Sequence, residues 1–434
     1  MKNKSFAMAL AAFFFACLFS LPPIVFTDPP AGILPTSFYV WQRRWSEDVV
    51  NAVRRSVGDA DGYQLLVSEI ALSPSGALTH TDFHPRWDVL AESGSELTIV
   101  IRMDVSVIRM LKRKEHAPVA RLIGKIADAA IVAGTHDGAT VRGLQIDCDC
   151  PESRLDEYGE LMTELRGDYA TRRLSFTALP SWLDSADFPA LARTADYYVL
   201  QVHSLRRPET VDTPLTICNT EQAEEDVSRA ERIGLPFTVA LPTYGYLLIF
   251  DEQGQFAGLR AEGDPISLRE GFQAHIVLSD HVAIADFVRR MRSRPPRNCR
   301  GIVWFRLPVE SDELNWSWMT LKAVLDGRTA RESCAAEIRS PEPGLYELWV
   351  INTGERNIPG KVEIDIDPLP GIRFFHDLLG EFVEIDAIPA GTMRLSGPVP
   401  AIGDPVPAAW FRVAAADSSN FPHPVSIEHV RIRQ

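Results

Sequence analysis

The sequence predicts an α/β protein: a (β/α)8 barrel of the TIM type followed by a small all-β sandwich domain. Within the 434 residues, eight strand-like apolar runs alternate with amphipathic helical runs between residues 37 and 327. Such alternation over roughly 250 residues or slightly more is typical of this barrel. Beyond Gly327 the helical periodicity ends, and short alternating runs split by Gly, Pro and Asn follow. That pattern is typical of a β-sandwich.

Each candidate strand of the barrel is mostly apolar, as expected of a parallel strand that is buried on both faces. The eight runs cover residues 37–42, 63–70, 97–105, 141–150, 173–179, 197–203, 236–242 and 301–307. The alternative is an open doubly wound sheet. Because no G-x-G-x-x-G motif follows the first run, a dinucleotide-binding version of that sheet is not favoured.

Helical runs fall between most of these strands and have recognisable ends. The clearest cover residues 119–133, 154–166, 220–233 and 281–292. The third begins with Thr220 and a run of acids, and the fourth ends in arginines before Pro295, which are typical start and stop signals. The segment 244–279 after the seventh strand is long, so we expect an insertion there, with a hairpin at 250–258.

Residues 331–434 are predicted to form the separate all-β domain. The short alternating runs lie at residues 345–352, 361–366, 372–375 and 410–414. Their lengths and the turn residues between them favour paired antiparallel strands over helices.

The N-terminus predicts export. Two lysines precede an uncharged run, rich in Phe, Ala and Leu, over residues 5–27. This resembles the charged and apolar regions of an export signal, and the run is also long enough to span a bilayer. We therefore expect residues 1–27 to be a signal peptide or an N-terminal membrane anchor, with lipidation at Cys17 as a third interpretation, and residues 28–36 to be a linker. The expected location is the periplasm or the outer face of the cytoplasmic membrane, with the protein secreted or anchored.

The formal net charge of −14 argues against a nucleic-acid partner, since phosphate binding needs clustered Lys and Arg. Cys148-x-Cys150 is tighter than the usual spacing of a zinc pair, and no H-x-H or H-E-x-x-H motif occurs. The sequence therefore predicts no metal site and no cofactor. It also has no G-x-S-x-G elbow of an α/β-hydrolase and no Walker loop.

The run at residues 143–151 carries the most informative chemistry. Because successive side chains of a strand point to opposite faces, Gln145, Asp147 and Asp149 share one face, opposite an apolar row. Acids beside such a row are costly unless that face is wet, paired or catalytic. Two carboxylates at this spacing repel each other, which is expected to raise one pKa and to favour a protonated acid.

Polar and aromatic side chains recur where the eight runs end, and in a barrel these ends meet at the catalytic face. Acids with Trp and Tyr suit a sugar, because carboxylates transfer protons and aromatic rings stack on the C–H faces of the sugar ring. The predicted substrate-binding residues are Glu69, Asp104, Gln145, Trp182, Gln201, His203, Tyr244, Trp304 and Arg306.

The fourth run resembles glycosyl hydrolase family eighteen, the chitinase type, whose fourth strand reads D-G-x-D-x-D-x-E with the final Glu as general acid. Residues 142–149 match its Gly and its middle Asp, at Gly143 and Asp147, whereas Arg142, Gln145 and Asp149 replace the first Asp, the second Asp and the Glu. The resemblance implies that Asp147 orients an N-acetyl group of the substrate as nucleophile. By position it also implies that Trp304 and Tyr244 are the aromatic floor and the tyrosine of that family.

The whole chain also resembles an uncharacterised family of exported bacterial proteins. The shared stretches are residues 39–43, 145–149, 178–182 and 201–203. This resemblance implies a barrel and export, and no particular reaction.

The leading hypothesis is an exported glycoside hydrolase-like protein that cleaves a poly- or oligosaccharide, with Asp149 as general acid and Asp147 as its partner. Two alternatives remain: a non-catalytic carbohydrate-binding barrel, and a metal-dependent polysaccharide deacetylase. A structural role for the two acids, in an ion pair with Arg102 or Arg306, is the competing explanation of the motif.

Overall fold

The structure of the protein is a computed structural model. The structure describes residues 34–112, 115–263, 268–358, 360–369, 374–385, 392–413 and 424–433. The predicted signal or anchor and most of the predicted linker lie outside these residues. Among the described helices, none is long and apolar enough to cross a membrane.

Eight parallel strands close into a barrel, which confirms the predicted fold class. Their pairing order is β1, β2, β4, β5, β6, β7, β8 and β12, and β12 pairs again with β1. The strands are β1 Thr36–Val40, β2 Gly62–Leu72, β4 Glu96–Met103, β5 Val141–Asp147, β6 Arg173–Ala178, β7 Tyr197–Gln201, β8 Phe237–Pro242 and β12 Cys299–Phe305. A short strand, β3 Leu78–Asp82, pairs antiparallel with β2.

Helices surround the barrel, as the amphipathic runs predict. They are α1 Glu47–Ser56, α2 Trp87–Ser93, α3 Ile108–Lys112, α4 His116–His136, α5 Leu155–Asp168, α6 Phe188–Ala192, α7 Thr220–Ile233, α8 His281–Ser293 and α9 Trp318–Leu325. Asn219 caps the start of α7 and Asp280 caps that of α8, each accepting hydrogen bonds from backbone N–H groups. These side chains satisfy donors that the first helical turn leaves unpaired.

Alternation along the strands divides the apolar side chains into two cores. The larger core lies between strands and helices and contains, for example, Phe38, Leu144 and Tyr198. The smaller lies inside the barrel and consists of Tyr39, Val100, Val199, Ala240 and Val303. This inner core occupies the middle of the strands, and polar side chains of the same inward face lie on both sides of it, for example Thr98 before Val100 and Arg102 after it on β4.

The long segment after the seventh barrel strand forms the expected insertion. It folds into a three-stranded antiparallel sheet of β9 Gly245–Phe250, β10 Phe256–Arg260 and β11 Gln273–Leu278, with β9 in the centre. The Glu262 carboxylate accepts hydrogen bonds from the backbone N–H groups of Glu313 (3.1 Å) and Leu314 (2.6 Å). The insertion is thereby attached to the loop that follows the eighth barrel strand.

The C-terminal part is a sandwich of two four-stranded antiparallel sheets around a core of its own, as predicted. One sheet has the order β13, β14, β19, β16 and the other has the order β17, β18, β15, β20. The strands are β13 Cys334–Glu342, β14 Leu345–Asn352, β15 Lys361–Pro368, β16 Phe374–Leu378, β17 Val383–Ile385, β18 Met393–Pro398, β19 Val406–Val413 and β20 Val425–Arg433. The Glu355 carboxylate receives Arg328 at 2.5 Å, which links the sandwich to the end of the barrel segment.

Candidate active site

Asp147 is the last residue of β5 and points into the upper barrel. Its side chain is 7% exposed. Oδ1 accepts hydrogen bonds from the Thr177 hydroxyl at 2.7 Å and from Gln201 Nε2 at 3.4 Å, and Oδ2 receives Arg102 Nη1 at 3.3 Å. Burial raises the pKa of the Asp147 carboxyl, and the Arg102 charge and the Thr177 hydrogen bond only partly oppose this. Asp147 therefore retains a proton more readily than an ordinary aspartate.

Asp149 lies two residues beyond Asp147, outside the strand, and its side chain is 58% exposed. Arg102 connects the two acids, since its Nη2 lies 3.7 Å from Asp149 Oδ2 while its Nη1 contacts Asp147. The structure thus selects Arg102, and not Arg306, as the partner of this pair. The arrangement gives one buried acid and one solvent-facing acid that share a single guanidinium.

A group of aromatic side chains lies across the same end of the barrel, and we call it the ring cluster: Trp41, His203, Tyr244 and Phe305. Phe305 is central, because its ring centroid lies 5.1 Å from Trp41, 5.7 Å from Tyr244 and 5.9 Å from His203. Arg102 lies over the Trp41 ring at 5.9 Å. The ring cluster and the acids therefore meet at Arg102.

His203 and Tyr244 form the polar part of the ring cluster. His203 Nδ1 and the Tyr244 hydroxyl are 3.1 Å apart, and His203 Nε2 is buried without a hydrogen-bond partner among the described residues. Burial lowers the pKa of His203 to about 4 and raises that of Tyr244 well above its usual value. Both side chains are neutral near pH 7, so they are suited to hydrogen bonds with an uncharged ligand rather than to charge pairing.

Gln145 lies two residues before Asp147 on the same inward face of β5. Its Nε2 donates to the Tyr39 hydroxyl, and its Oε1 is buried without a partner in the described part of the chain. Burial raises the pKa of Tyr39 well above its usual value, so the phenol keeps its proton. Gln145 thus supports the floor beneath Asp147.

The structure does not bring Trp182 and Trp304 to this site. Both side chains are fully buried in the core between strands and helices. Trp182 packs near Tyr158 and Phe188, and Trp304 packs near Trp316. Neither ring is accessible in this structure, so neither is placed to stack on a sugar as predicted; Phe305 faces the mouth instead of Trp304.

Three predicted substrate-binding charges are engaged in structural contacts. Glu69 accepts from Arg43 at 2.8 Å. Asp104 accepts from the Ser106 N–H at 2.8 Å and caps a short 3-10 helix; hydrogen bonding by the Ser106 side chain, and then by its N–H, lowers the pKa of Asp104. Arg306 pairs with the buried Asp312. These three charges therefore have partners within the protein. Of the other predicted residues, Gln201 and Gln145 lie near Asp147, and His203 and Tyr244 belong to the ring cluster.

Four residues that surround Asp147, Gln145 or the ring cluster are not among the predicted site residues: Tyr39, Arg102, Thr177 and Phe305. The side chain of each points toward the inside of the barrel, as that of Asp147 does. The parallel register places Arg102 directly beside Asp147. Strand alternation counted from the inner-core residues was the signal that could have found them.

In the described ranges, no group of three or more His, Cys, Asp or Glu side chains is arranged so that it could hold a metal ion. The chemical groups that do come together are a carboxylic acid pair, a shared guanidinium, neutral hydrogen-bonding groups and aromatic rings. They can transfer a proton, stabilise developing positive charge and pack against an apolar ring face.

Part of the chain matches the model of a known protein family. Residues 95–310 match the model of a family described as a domain of unknown function, DUF3142. The match begins just before β4 and ends in the loop beyond β12. The chain therefore contains a domain of this family over about half of its length. No curated protein matches the sequence.

Several solved structures align with the barrel at low identity. A chitinase from Chromobacterium violaceum ATCC 12472 is 12% identical, with 64% of this chain and 96% of that chain covered and a TM-score of 0.45. The spore cortex-lytic enzyme SleL of Bacillus cereus is 13% identical, with 64% and 71% covered and a TM-score of 0.43. A chitinase from Bacteroides thetaiotaomicron is 12% identical, with 63% and 90% covered and a TM-score of 0.45. The barrel fold itself follows from the strand pairings of this chain.

Proposed function

We propose that this protein is a glycoside hydrolase that cleaves a poly- or oligosaccharide at the carboxyl ends of the barrel strands. The observation that carries the proposal is the Asp147–Arg102–Asp149 arrangement, in which one guanidinium contacts a buried and an exposed carboxylate. Glycosidic cleavage needs an acid that can be protonated and a second group that stabilises positive charge at the sugar. The pair offers one acid for each task.

In this proposal Asp149 is the general acid. It donates its proton to the glycosidic oxygen as the bond from that oxygen to the anomeric carbon breaks, and the carboxylate then takes a proton from the incoming water. Asp147 stabilises the positive charge on the sugar or, as the chitinase resemblance implies, orients an N-acetyl group that attacks the anomeric carbon.

The ring cluster supplies the binding surface of the proposed site. Trp41, Tyr244 and Phe305 are half-buried, so each is held by its neighbours and still has an accessible part. A sugar ring stacked on these side chains would place its hydroxyls near the neutral His203 and near Gln201. This combination favours an uncharged carbohydrate over a phosphorylated ligand.

A non-catalytic carbohydrate-binding barrel is the second candidate, and one observation favours it. Asp149 is one methylene shorter than the Glu of the chitinase motif, and its exposed carboxylate is already held near Arg102. A site in which Asp149 stayed ionised and paired would bind a sugar without cleaving it.

A glycan array with the purified protein, followed by hydrolysis assays on each bound glycan, separates the two candidates. We expect new reducing ends from the wild type and a rate lower by about 10²-fold or more for Asp149→Asn. Glu152→Gln, an exposed acid just beyond the site, is the matched control and should keep the wild-type rate. Tight binding without product over long incubation would establish the binding protein instead.

Export is also proposed, on the strength of the two lysines and the apolar run in residues 1–27. Cell fractionation of a tagged full-length chain tests it. Recovery in the periplasm, the medium or the membrane fraction, accessible to added protease from outside the inner membrane, is expected. Recovery of the whole chain in the cytoplasm would contradict the proposal.

A further inference from the structure

The outer face of the sheet formed by β13, β14, β19 and β16 carries an alignment of aromatic side chains. Leu348, Val350 and Phe411 point into the sandwich core and are buried. Their sequence neighbours Trp349 and Trp410 therefore point to the opposite, solvent-facing side, where both are half-buried. Phe375 lies on the same side and is 78% exposed, the most exposed large apolar residue in the described part of the chain.

The strand register places these three rings on one diagonal. Phe375 of β16 pairs with Arg412 of β19, and Trp410 lies two residues before Arg412. Trp410 in turn pairs with Glu347 of β14, and Trp349 lies two residues after Glu347. The step from Phe375 to Trp410 crosses one strand and moves by two residues. The step from Trp410 to Trp349 also crosses one strand, at a bulge in the ladder where Trp349 pairs with Pro407. Diagonal neighbours of this kind lie about 7–8 Å apart. The line consequently extends over three adjacent strands, β16, β19 and β14.

The charges around this line are largely compensated within the sheet. Arg412 contacts Glu342 at 2.7 Å, and Arg339 lies 2.5 Å from Glu337. The Trp349 indole N–H donates to Glu347 at 2.9 Å, and the Arg339 guanidinium lies 4.4 Å from the Trp349 ring centroid. Because these charges are paired with each other, the sheet face offers hydrogen-bonding groups but has no strong positive or negative potential. Such a surface complements a neutral, amphipathic ligand better than a phosphate-rich membrane or nucleic acid.

We propose that this face binds a polysaccharide chain laid along the diagonal, with its pyranose rings stacked on Phe375, Trp410 and Trp349. The rings contact the C–H faces of the sugars, while Arg339, Glu347 and Arg412 hydrogen-bond to the hydroxyls at the edges. A large, exposed aromatic residue gains free energy when its ring is covered, which is the driving force of this binding. The site is separate from the barrel mouth and does not depend on whether the barrel hydrolyses anything.

Depletion assays with the full-length protein on insoluble chitin, cellulose and peptidoglycan test this proposal. The wild type is expected to bind at least one of them, and Phe375→Ala combined with Trp410→Ala is expected to weaken that binding about tenfold or more. Phe375→Trp keeps a ring at the most exposed position and should retain binding. Val383→Ala removes an exposed apolar side chain from the other sheet and serves as the matched control.

Depletion measured in an Asp149→Asn background, in which the barrel does not cleave the polymer, distinguishes this site from the barrel mouth: the added Phe375→Ala and Trp410→Ala changes should weaken binding there by the same factor. Equal binding by the wild type and the folded double variant, or no binding of any of the three polymers, would overturn the proposal. A wild type that dimerises through this face, with a monomeric double variant and no loss of polysaccharide binding, would also overturn it. Thermal unfolding of each variant verifies that the sandwich remains folded.

Discussion

The barrel mouth contains two pairs of a buried aspartate and an arginine, and they differ in how completely each is enclosed. Asp312 and Arg306 have side chains that are 4% and 13% exposed, and Asp312 also accepts from the Val309 N–H and from Asn315 Nδ2. In the other pair Asp147 is 7% exposed, but Arg102 is 42% exposed and is shared with Asp149. One pair is a closed structural connection, whereas the other opens toward the solvent.

The pKa directions alone do not distinguish the two pairs. Burial raises the pKa of both Asp147 and Asp312, and the neighbouring arginine opposes the rise in each case. A shifted pKa is common to functional sites and to structural ion pairs. The distinction comes from geometry: the open pair faces a second acid and a ring cluster, so a ligand can reach it.

The largest expected effect is on activity, from Asp147→Asn. This change removes the buried carboxylate and keeps a side chain of the same size that can still accept from Thr177, so hydrolysis of the identified glycan should fall by about 10²–10⁴-fold. The melting temperature at pH 7 should stay close to that of the wild type, because a buried charge with a raised pKa is also removed. Steady-state kinetics measure the hydrolysis rate and calorimetry measures the melting temperature. A stable, fully active variant would show that the Asp147–Arg102 pair, like the Asp312–Arg306 pair, has only a structural role.

The second effect is on stability and separates the arginines. Arg306→Ala leaves the buried Asp312 without its cation, which should lower the free energy of unfolding by about 3–5 kcal/mol. Arg102→Ala also leaves a buried carboxylate, Asp147, but water already reaches the Arg102 position and can replace part of the lost interaction, so the loss should be smaller, about 1–2 kcal/mol. Urea denaturation of both variants measures the difference. Equal losses would erase the distinction between an enclosed and an open pair.

The third effect is a pH dependence that arises from His203. Its pKa is about 4 in the folded protein against an ordinary value of 6.5, so between these pH values the unfolded chain binds more protons. The free energy of unfolding should therefore fall as the pH drops from about 6.5 to about 4. His203→Gln should weaken this dependence relative to the wild type, as measured by urea denaturation at several pH values. Parallel curves for the two proteins would show that His203 is not kept neutral by the fold.

The smallest effect is expected from Asp104→Ala. The Asp104 side chain caps a short 3-10 helix at the barrel mouth, so its loss should destabilise the protein by about 1 kcal/mol. Hydrolysis should be unchanged when measured below the melting transition. A strong loss of activity with little loss of stability would instead return Asp104 to the binding site.

The fold could be predicted from the sequence because its elements have strong local patterns. Buried parallel strands appear as apolar runs, and the sandwich strand at residues 345–352 coincides with the observed β14, Leu345–Asn352. The positions of side chains at strand ends were harder to predict. A shift of one residue exchanges the two faces of a strand, so Trp304 was placed at the mouth although Phe305 is the residue that faces it.

The pairing of charges needed the three-dimensional register. Arg102 and Asp147 are 45 residues apart, and the sequence offered Arg306 equally as a partner. Adjacent strands β4 and β5 bring Arg102 beside Asp147, while the loop after β12 provides Asp312 for Arg306. Long-range partners of this kind depend on strand order and stagger, which local patterns do not contain.

The central claim is that Asp149 delivers the proton in glycosidic cleavage, and single-turnover hydrolysis by the variant pair Asp149→Glu and Asp149→Asn tests it most directly. Glu retains a carboxyl group on a side chain longer by one methylene and should keep measurable turnover, whereas Asn cannot donate the proton and should release almost no product. Product release by Asp149→Asn at the wild-type rate, with enzyme in excess over the glycan, would contradict the assignment.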